Sequence, residues 1–172
     1  MDPVLKGKLS RVRLLVLDFD GVMTDGTVFT DQNGIESVRC SRRDGLGVEL
    51  LKRHGIRVHV VSKEPNPVVS ARCKKLDVPY DQGIHDGDGK VDVLKRVTAE
   101  AGLSREQVAY MGDDLNDVPA LQWAGASFAP ADAHPNVVGI ANYVTHVSGG
   151  RGAVREIAEL ILYAQGVELS KF

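Results

Sequence analysis

The sequence of 172 residues predicts an α/β fold with a doubly wound, Rossmann-like parallel sheet and helices on both of its faces. Short apolar runs of strand length alternate with segments of helical periodicity, and parallel strands need helical crossovers of this kind. Polar residues recur where the predicted strands end. No internal repeat, low-complexity tract or linker divides the chain, so we expect a single domain over residues 1–172.

The composition is typical of an ordinary globular protein, with 43% hydrophobic and 26% charged residues. The 21 basic and 23 acidic residues are mixed along the chain, which does not indicate a nucleic acid or an anionic membrane as partner. The apolar run near residue 14 is too short for a signal sequence or a membrane span. Cys40 and Cys73 lack metal-type spacing and indicate free thiols. We therefore expect a cytoplasmic protein.

The first predicted strand, Leu14–Leu17, follows a lead-in segment that could form a short helix over a sheet edge. Asp18 and Asp20 come directly after this strand, at the end where open α/β sheets bind ligands. Strand side chains alternate, so the two carboxylates would point to one side and Phe19 away from it. Gly21 would allow the backbone to turn or to approach a ligand closely.

A β-hairpin is predicted next. Thr27–Thr30 and Ile35–Cys40 alternate in polarity, and the Asn33-Gly34 pair between them is a strong hairpin signal. Two strands alone are marginally stable in water. We therefore expect the hairpin to pack, with another subunit as the favoured partner and a solvated flap as the alternative.

The later elements follow in alternation. The predicted helix Asp44–His54 follows the hairpin. Its apolar face is expected to include Val48 and Leu51, with Leu46 and Leu50 as further candidates. Gly55 would end that helix, and Ser104 with Gln107 would form a capping box. Predicted helices are Asp44–His54, one starting at Pro67, Gly89–Ala101, Asn116–Ala124, His134–Ile140 and Gly152–Gln165. Predicted strands are Ile56–Val61, Val78–Gln82, Val108–Met111, Ala126–Ala129 and Tyr143–Val147.

The polar groups at the strand ends form a set that suits a phosphoryl group. Asp18 could attack phosphorus, and Mg²⁺ would be held by Asp18, the backbone carbonyl of Asp20 and the Asp113 carboxylate. Ser62 and Lys90 would bind the phosphate oxygens. Asp20 would protonate the leaving oxygen and then activate water.

Each of these residues also has a structural interpretation. A lone Asp-x-Asp after a strand can be a polar loop start, and Lys90 alone could be a solvated lysine at a helix start. Asp114 could cap the following helix, while Asp117 could orient Asp113 or a metal-bound water. Two acids could also divide the acid and base roles between them without a metal. Trp123 is expected in the core.

Four segments together resemble the motifs of the haloacid dehalogenase superfamily of phosphatases: Asp18–Gly26, Ser62, Lys90 and Gly112–Asp117. A closer resemblance, over about residues 11–166, is to the small capless branch that contains 3-deoxy-D-manno-octulosonate 8-phosphate phosphatase. It is carried by the hairpin and by Arg43-Asp44-Gly45, Ala131–Pro135 and Gly149–Glu156. This resemblance implies a Mg²⁺-dependent phosphatase that acts through an aspartyl-phosphate on a phosphorylated 2-keto-3-deoxy sugar acid.

The resemblance also implies a homotetramer in which the hairpins, residues Thr27–Cys40, associate and a neighbouring subunit helps to close the site. One segment departs from the octulosonate phosphatases, which usually have Thr-Gly-Arg where this chain has Ser62-Lys63-Glu64. The version with Glu is similar to nonulosonate 9-phosphate phosphatases and to the domain attached to acylneuraminate cytidylyltransferases. Candidate substrate-binding residues are therefore Glu64, Arg43 and Arg151, although the two arginines could equally hold subunits together.

Two other functions stay open. A non-catalytic oligomerisation module, like the domain attached to the cytidylyltransferases, is disfavoured because Asp18, Asp20, Lys90 and Asp113 are all present. A phospho-receiver domain is also doubly wound and uses Asp, Ser or Thr, and Lys around Mg²⁺. In receivers the phosphorylated Asp follows a middle strand, whereas here the acidic pair follows the first.

Overall fold

The computed structural model describes residues 1–85 and 89–169, and its strands form one large sheet and one hairpin. The strands are β1 (Leu14–Leu17), β2 (Thr24–Thr30), β3 (Glu36–Cys40), β4 (Arg57–Val61), β5 (Tyr80–Asp81), β6 (Val108–Met111), β7 (Ala126–Ala129) and β8 (Tyr143–Val144). Six of these strands pair in parallel in the order β5-β4-β1-β6-β7-β8, and β2 pairs with β3 in an antiparallel hairpin.

The helices are α1 (Pro3–Leu9), α2 (Arg42–Arg53), α3 (Pro67–Leu76), α4 (Gly89–Glu100), α5 (Val118–Trp123), α6 (Pro135–Val138) and α7 (Ala153–Ala164). Short 3₁₀ turns cover Arg105–Gln107 and Leu115–Asp117. None of the helices in the described part of the chain has the length and apolar character needed to span a bilayer.

Two hydrophobic cores lie on opposite faces of the sheet. Leu15 and Leu17 of β1 point into the core formed with α2 and α7, whereas Leu14 and Val16 point into the core formed with α4 and α5. Strand β1 is thus buried on both faces, as its unbroken apolar run predicts. The doubly wound α/β fold expected from the sequence is confirmed.

The central place of β1 brings the predicted site together. Leu17 pairs with Val60 of β4 on one side and with Met111 of β6 on the other. The carboxyl ends of the three strands therefore meet at the same edge of the sheet, and the segments that carry Asp18 and Ser62 leave it side by side.

The predicted hairpin is present, with Asn33 and Gly34 in its turn. Val28 lies opposite Val38, and the Asp31 carboxylate accepts hydrogen bonds from the Asn33 N–H (2.8 Å) and the Ile35 N–H (2.9 Å). Gly34 takes a φ of +77°, which only glycine adopts readily. Strand β2 begins at Thr24, three residues before the predicted start.

Several boundaries differ from the predictions for physical reasons. Helix α2 begins at Arg42 because the Ser41 hydroxyl accepts from the Arg43 N–H (3.0 Å) and caps the first turn. The predicted helix Asn116–Ala124 is a 3₁₀ turn followed by α5, since Pro119 fits only in the first turn of an α-helix. Leu46 is exposed, so its predicted core position is wrong, while Leu50 is buried.

The two edge strands are shorter than predicted. Strand β5 contains two residues of the predicted Val78–Gln82 strand, and β8 contains two residues of the predicted Tyr143–Val147 strand. Each pairs with a neighbour on one side only. Helix α6 also ends early, at Val138 instead of Ile140.

Candidate active site

Asp18 occupies the first position beyond β1 and is almost fully buried. Its Oδ1 accepts a hydrogen bond from the Phe19 N–H (2.8 Å), and its Oδ2 lies 3.0 Å from Lys90 Nζ. Phe19 is buried in the core beside α2 and α7. Asp18 and Asp20 both line one cleft, which agrees with the predicted alternation of side chains.

Asp117 is the centre of the hydrogen bonds beneath Asp18. Its Oδ1 accepts from Lys90 Nζ (2.6 Å) and from the Tyr110 hydroxyl (2.6 Å). Its Oδ2 accepts from the backbone N–H groups of Asp113 (2.9 Å) and Asp114 (3.2 Å). Because both oxygens already have two donors each, this carboxylate is arranged to hold its neighbours in place.

Tyr110 is the member of this group that the sequence reasoning missed. It is the third residue of β6 and is fully buried, and it looked like an ordinary strand residue. A buried tyrosine hydroxyl nearly always has a hydrogen-bond partner. Tyr110 lies in a predicted buried strand that ends two residues before Asp113. This position could have indicated that its hydroxyl bonds to a polar group of the site.

Three carboxylates converge beside Lys90. One oxygen from each of Asp18, Asp113 and Asp117 lies within 4.8 Å of the others. Burial raises the pKa of Asp113 to about 7, and the charges of Asp117 and Asp114 act in the same direction. Burial, followed by the charge of Asp117, likewise raises the pKa of Asp18 well above its ordinary value.

This donor set fits a hard divalent cation. Mg²⁺ prefers carboxylate and carbonyl oxygens, and its charge would favour the ionised forms of Asp18 and Asp113, whose pKa values are raised by burial and then by neighbouring carboxylates. The oxygens of Asp117 are used by other donors, which leaves Asp18 and Asp113 as the side-chain ligands. The part of Asp20 in metal binding, through its backbone carbonyl, stays a prediction.

The Asp20 side chain is not one of the three converging carboxylates and is held by a different partner. The hydroxyl of Thr24 donates to Asp20 Oδ1 (3.4 Å) and accepts from the N–H groups of Gly21 (3.3 Å) and Gly26 (3.1 Å). Burial raises the pKa of Asp20, the charge of Glu64 adds to this, and the hydrogen bond from Thr24 opposes it. A raised pKa suits a carboxyl group that donates a proton near neutral pH.

Ser62 directly follows β4 and is buried, and its Oγ accepts from the Glu64 N–H (3.1 Å). Asp18 and Asp20 form one wall of a cleft of about 330 Å³, and the segment from Ser62 onward forms the other. Lys90 lies beneath Asp18. The residues that line the cleft are Asp18, Asp20, Ser62, Lys63, Glu64, Pro65 and Asn116.

Two predicted substrate-binding residues lie outside this cleft. Arg43 is exposed in the first turn of α2, and Arg151 is exposed just before α7. Within the single chain, neither arginine is brought to the cleft. Their contact with substrate therefore stays a prediction.

Glycines allow the loops around the site to approach one another closely. Gly21 has a φ of +71°, and a Cβ atom there would lie 1.9 Å from Asp113 Oδ2. A Cβ atom at Gly112 would lie 2.4 Å from Cγ of Asp117. The sequence led us to expect that Gly21 would turn the backbone or approach a ligand, and in the structure it turns the backbone and approaches the carboxylate of Asp113.

The remaining segments that carried the resemblance support these loops. Asp132 Oδ1 accepts from the Gly149 N–H (2.9 Å), and the His134 N–H donates to the Asp113 carbonyl (2.8 Å). Gly150 in turn donates its N–H to the Val22 carbonyl (3.0 Å). These contacts fasten the loop before α7 against the loop after β1.

Comparisons with known proteins identify the family. A family model described as haloacid dehalogenase-like hydrolase matches residues 81–157. The 3-deoxy-D-manno-octulosonate 8-phosphate phosphatase of Salmonella typhimurium is 38% identical over 167 residues, which are 96% of this chain and 87% of that protein. The chain belongs to the haloacid dehalogenase superfamily. The recognised superfamily, its octulosonate phosphatase branch and the enzyme class, a phosphatase, are confirmed.

Solved structures of superfamily members agree with the fold. The octulosonate 8-phosphate phosphatase of Moraxella catarrhalis, in complex with magnesium ion, phosphate ion and the sugar acid, is 32% identical. It has a TM-score of 0.91, with 96% of this chain and 94% of that chain covered. A hydrolase of the superfamily from Streptomyces avermitilis is 44% identical, with a TM-score of 0.84 and coverage of 90% and 93%. Magnesium, the cofactor expected from the carboxylates, is thus bound by a relative of similar structure.

Proposed function

We propose that residues 1–172 act as one domain that hydrolyses a phosphomonoester through an aspartyl-phosphate, with Mg²⁺ as cofactor. The observation that carries the proposal is the Asp18 carboxylate, which lines the cleft while Lys90 Nζ lies 3.0 Å from its Oδ2. The Asp113 carboxylate approaches the same point. A nucleophile, a cation and a metal ligand therefore meet where a phosphate can enter.

In the proposed mechanism Asp18 attacks phosphorus, and the bond from phosphorus to the sugar oxygen breaks. Bound Mg²⁺ supplies the positive charge that lets an anionic carboxylate approach an anionic phosphate, and Asp18, Asp113 and the Asp20 carbonyl would hold it. Ser62 and Lys90 hydrogen-bond the phosphate oxygens.

Asp20 gives a proton to the leaving sugar oxygen. It then takes a proton from the water that attacks the aspartyl-phosphate, which releases phosphate and restores Asp18. Asp117 holds Lys90 through a 2.6 Å hydrogen bond and fixes the backbone at Asp113 and Asp114. Asp117 thus orients Lys90 and the metal ligand Asp113 and does not act on the substrate, while the Asp114 side chain caps the following turn through the Leu115 N–H (2.7 Å).

The proposed substrate is a phosphorylated 2-keto-3-deoxy sugar acid. The names of the relatives support octulosonate 8-phosphate. Glu64 in the cleft wall supports a second candidate, a nonulosonate 9-phosphate, because it places a hydrogen-bond acceptor where octulosonate phosphatases usually have Arg. The alternative of a non-catalytic oligomerisation module gives no reason for Lys90 and Asp113 to converge on Asp18 beside a cleft.

We also propose a homotetramer formed through the hairpin, residues Thr27–Cys40. Val28, Phe29 and Ile35 are 52%, 68% and 66% exposed, which is unusual for apolar side chains grouped on one element. A neighbouring subunit on the hairpin would cover them. Arg43 and Arg151 would then either bind the substrate carboxylate or hold the subunits together.

Phosphate release measured with and without Mg²⁺ tests the proposal. The substrates are octulosonate 8-phosphate, nonulosonate 9-phosphate and simple hexose phosphates. We expect Asp18→Asn to abolish release while circular dichroism shows an unchanged fold. The control is Asp92→Asn, which makes the same chemical change at an exposed position of α4. Turnover by Asp18→Asn at the wild-type rate would show that Asp18 is not the nucleophile, and a wild type inactive on every substrate would refute the function.

A further inference from the structure

The segment that follows β4 is held in shape by its own side chains. We call residues 62–66 the substrate loop because Ser62, Lys63, Glu64 and Pro65 line the cleft. The Ser62 Oγ accepts from the Glu64 N–H (3.1 Å), and Glu64 Oε1 accepts from the Asn66 N–H (2.9 Å). Asn66 Oδ1 then accepts from the Val68 N–H (3.1 Å) and caps α3.

One contact joins this loop to the hairpin. The Asn66 side-chain Nδ2 donates to Glu36 Oε2 (3.1 Å), across 30 positions of the sequence. Asn66 is therefore bonded to two carboxylates, through its backbone N–H to Glu64 and through its side chain to Glu36. A neutral donor between two like charges holds both at defined positions, whereas the two carboxylates alone would repel each other.

The position of Glu36 on β3 explains how the contact arises. Glu36, Val38 and Cys40 alternate with exposed residues and are half-buried. Val38 and Cys40 pack against the main core, so Glu36 belongs to the face of the hairpin that is turned toward the rest of the chain. An acidic residue on this apolar face has no packing role of its own.

We infer that Glu36 is a positioning residue, which acts through Asn66 to fix Glu64 against the leaving group of the substrate. The inference rests on the proposed function, because it takes the cleft beside Asp18 and Glu64 as the place where the sugar binds. The hairpin thereby sets the recognition of the sugar in addition to any part it has in assembly. Loss of the contact leaves Asp18, Lys90 and Asp113 in place.

Two groups of variants separate this role from general damage. Glu36→Ala removes the acceptor, whereas Glu36→Gln keeps an oxygen for the Asn66 amide. Asn66→Ser removes the donor to Glu36 but keeps a side chain that caps α3 well. Ser37→Ala, on the exposed side of the same strand, is the matched control.

Steady-state kinetics with Mg²⁺ are measured on the best sugar phosphate and on p-nitrophenyl phosphate, whose leaving group offers no hydroxyl to Glu64. We expect Glu36→Ala and Asn66→Ser each to raise KM for the sugar phosphate about tenfold, the worth of one hydrogen bond to a charged group, with kcat nearly unchanged. The double variant should be no worse than either single one. Glu36→Gln and Ser37→Ala should resemble the wild type, as should every variant on p-nitrophenyl phosphate.

The outcomes against the inference are distinct from those against the function. Wild-type KM in Glu36→Ala, additive effects in the double variant, or no rescue by Glu36→Gln would each overturn the positioning role. Equal losses on both phosphates, or a smaller assembly by light scattering, would show general damage and overturn it as well. The proposed function would fail in a different way. Either the wild type would release no phosphate in the presence of Mg²⁺, or its release would persist in Asp18→Asn.

Discussion

Lys90 stays charged although it is buried. Burial lowers the pKa of its ammonium group, but the carboxylates of Asp18 and Asp117 outweigh this and raise the pKa above the ordinary value. A buried ion pair is costly to break, because removing one partner leaves the other charge buried and unpaired. The ion pairs of Lys90 with Asp18 and Asp117 therefore hold the Asp18 side chain in place before any phosphate arrives.

Tyr110→Phe tests one bond of this group. The substitution keeps the buried ring but removes the hydroxyl that donates to Asp117 at 2.6 Å. We expect the free energy of unfolding to fall by roughly 1.5–3 kcal/mol, the usual range for a hydrogen bond to a charged group. Urea denaturation measures it, with Tyr163→Phe at an exposed position of α7 as the control. An equal decrease in both variants would mean that the hydrogen bond from Tyr110 to Asp117 does not stabilise the fold.

His59 gives the stability a pH dependence of its own. Burial lowers its pKa from 6.5, although its hydrogen bond with Asp81 (2.8 Å) opposes the shift. The unfolded chain thus takes up the proton more readily than the folded protein, so this contribution is present above pH 6.5 and is lost as the pH falls below it.

The measurement is the free energy of unfolding at pH 7.5 and at several values down to 5.5. As the pH falls, we expect the free energy of unfolding of the wild type to decrease by up to roughly 1.4 kcal/mol more per pH unit than that of His59→Gln. The Gln side chain keeps a polar group opposite Asp81 but does not titrate. Parallel pH profiles of the two proteins would count against this role of His59.

At the scale of elements, α2 and α7 are joined by a buried carboxylate. Asp44 lies in the first turn of α2, and its oxygens accept from the N–H groups of Gly152 (3.2 Å) and Arg155 (3.0 Å) at the start of α7. Gly47 lets the two helices approach, since a Cβ atom there would lie 2.8 Å from the Arg155 Cα. Asp44 thus caps a helix other than its own.

Asp44→Ala should therefore destabilise the protein as the loss of a helix cap does. We expect a decrease of about 1–2 kcal/mol in the free energy of unfolding, from the orphaned N–H groups of α7. Asp92→Ala replaces an exposed first-turn acid of α4 and should change the value little. If Asp44→Ala and Asp92→Ala had the same urea midpoint, Asp44 would not act as a cap of α7.

The strands that the sequence predicts to the residue are those buried on both sides. Leu14–Leu17 and Val108–Met111 are unbroken apolar runs that end at an aspartate and at a glycine, and Ala126–Ala129, which includes the buried Ser127, lies between a glycine and a proline. The lengths of β5 and β8 depend instead on how far one neighbour extends, which local sequence does not encode. Periodicity alone likewise left Leu46 and Leu50 as equal candidates for the core.

Part of the candidate site could be predicted from the sequence and part could not. Asp18, Ser62 and Asp113 could be grouped in advance because parallel strands end at a common edge. The bond from Asn66 to Glu36 could not be, because it joins a hairpin to a loop whose relative position is set by tertiary packing. Patterns along the chain thus reveal groups that share a sheet edge, and they miss contacts between separate elements.

At the scale of the whole molecule, the hairpin is the element most in need of a partner. Phe29 lies opposite Ser37, on the side of β3 that is exposed, and Ile35 follows the turn on the same strand pair. Exposed apolar groups gathered on one element favour association between copies.

A double substitution of Phe29→Ser with Ile35→Ser should therefore reduce the size of the assembly. Static light scattering of the wild type is expected to give four subunits, and the variant is expected to give fewer. Val4→Ser, at an exposed position of α1, should leave the mass unchanged. A double variant with the wild-type mass would mean that the hairpin does not hold the subunits together.

The close approach of the loops also limits how this sequence can change over evolutionary time. A Cβ atom at Gly21 would lie 1.9 Å from Asp113 Oδ2, and one at Gly149 would lie 1.8 Å from the Gly21 carbonyl oxygen. The contact at Gly149 is with backbone, and the contact at Gly21 is with the carboxylate of a proposed metal ligand, so a larger residue at either position would disturb the site whatever the substrate. The contacts of Glu64 and Glu36 with Asn66 are made by their side chains, so these positions are freer to diverge. Descendants of this protein could thus acquire a new sugar while their phosphate chemistry stayed the same.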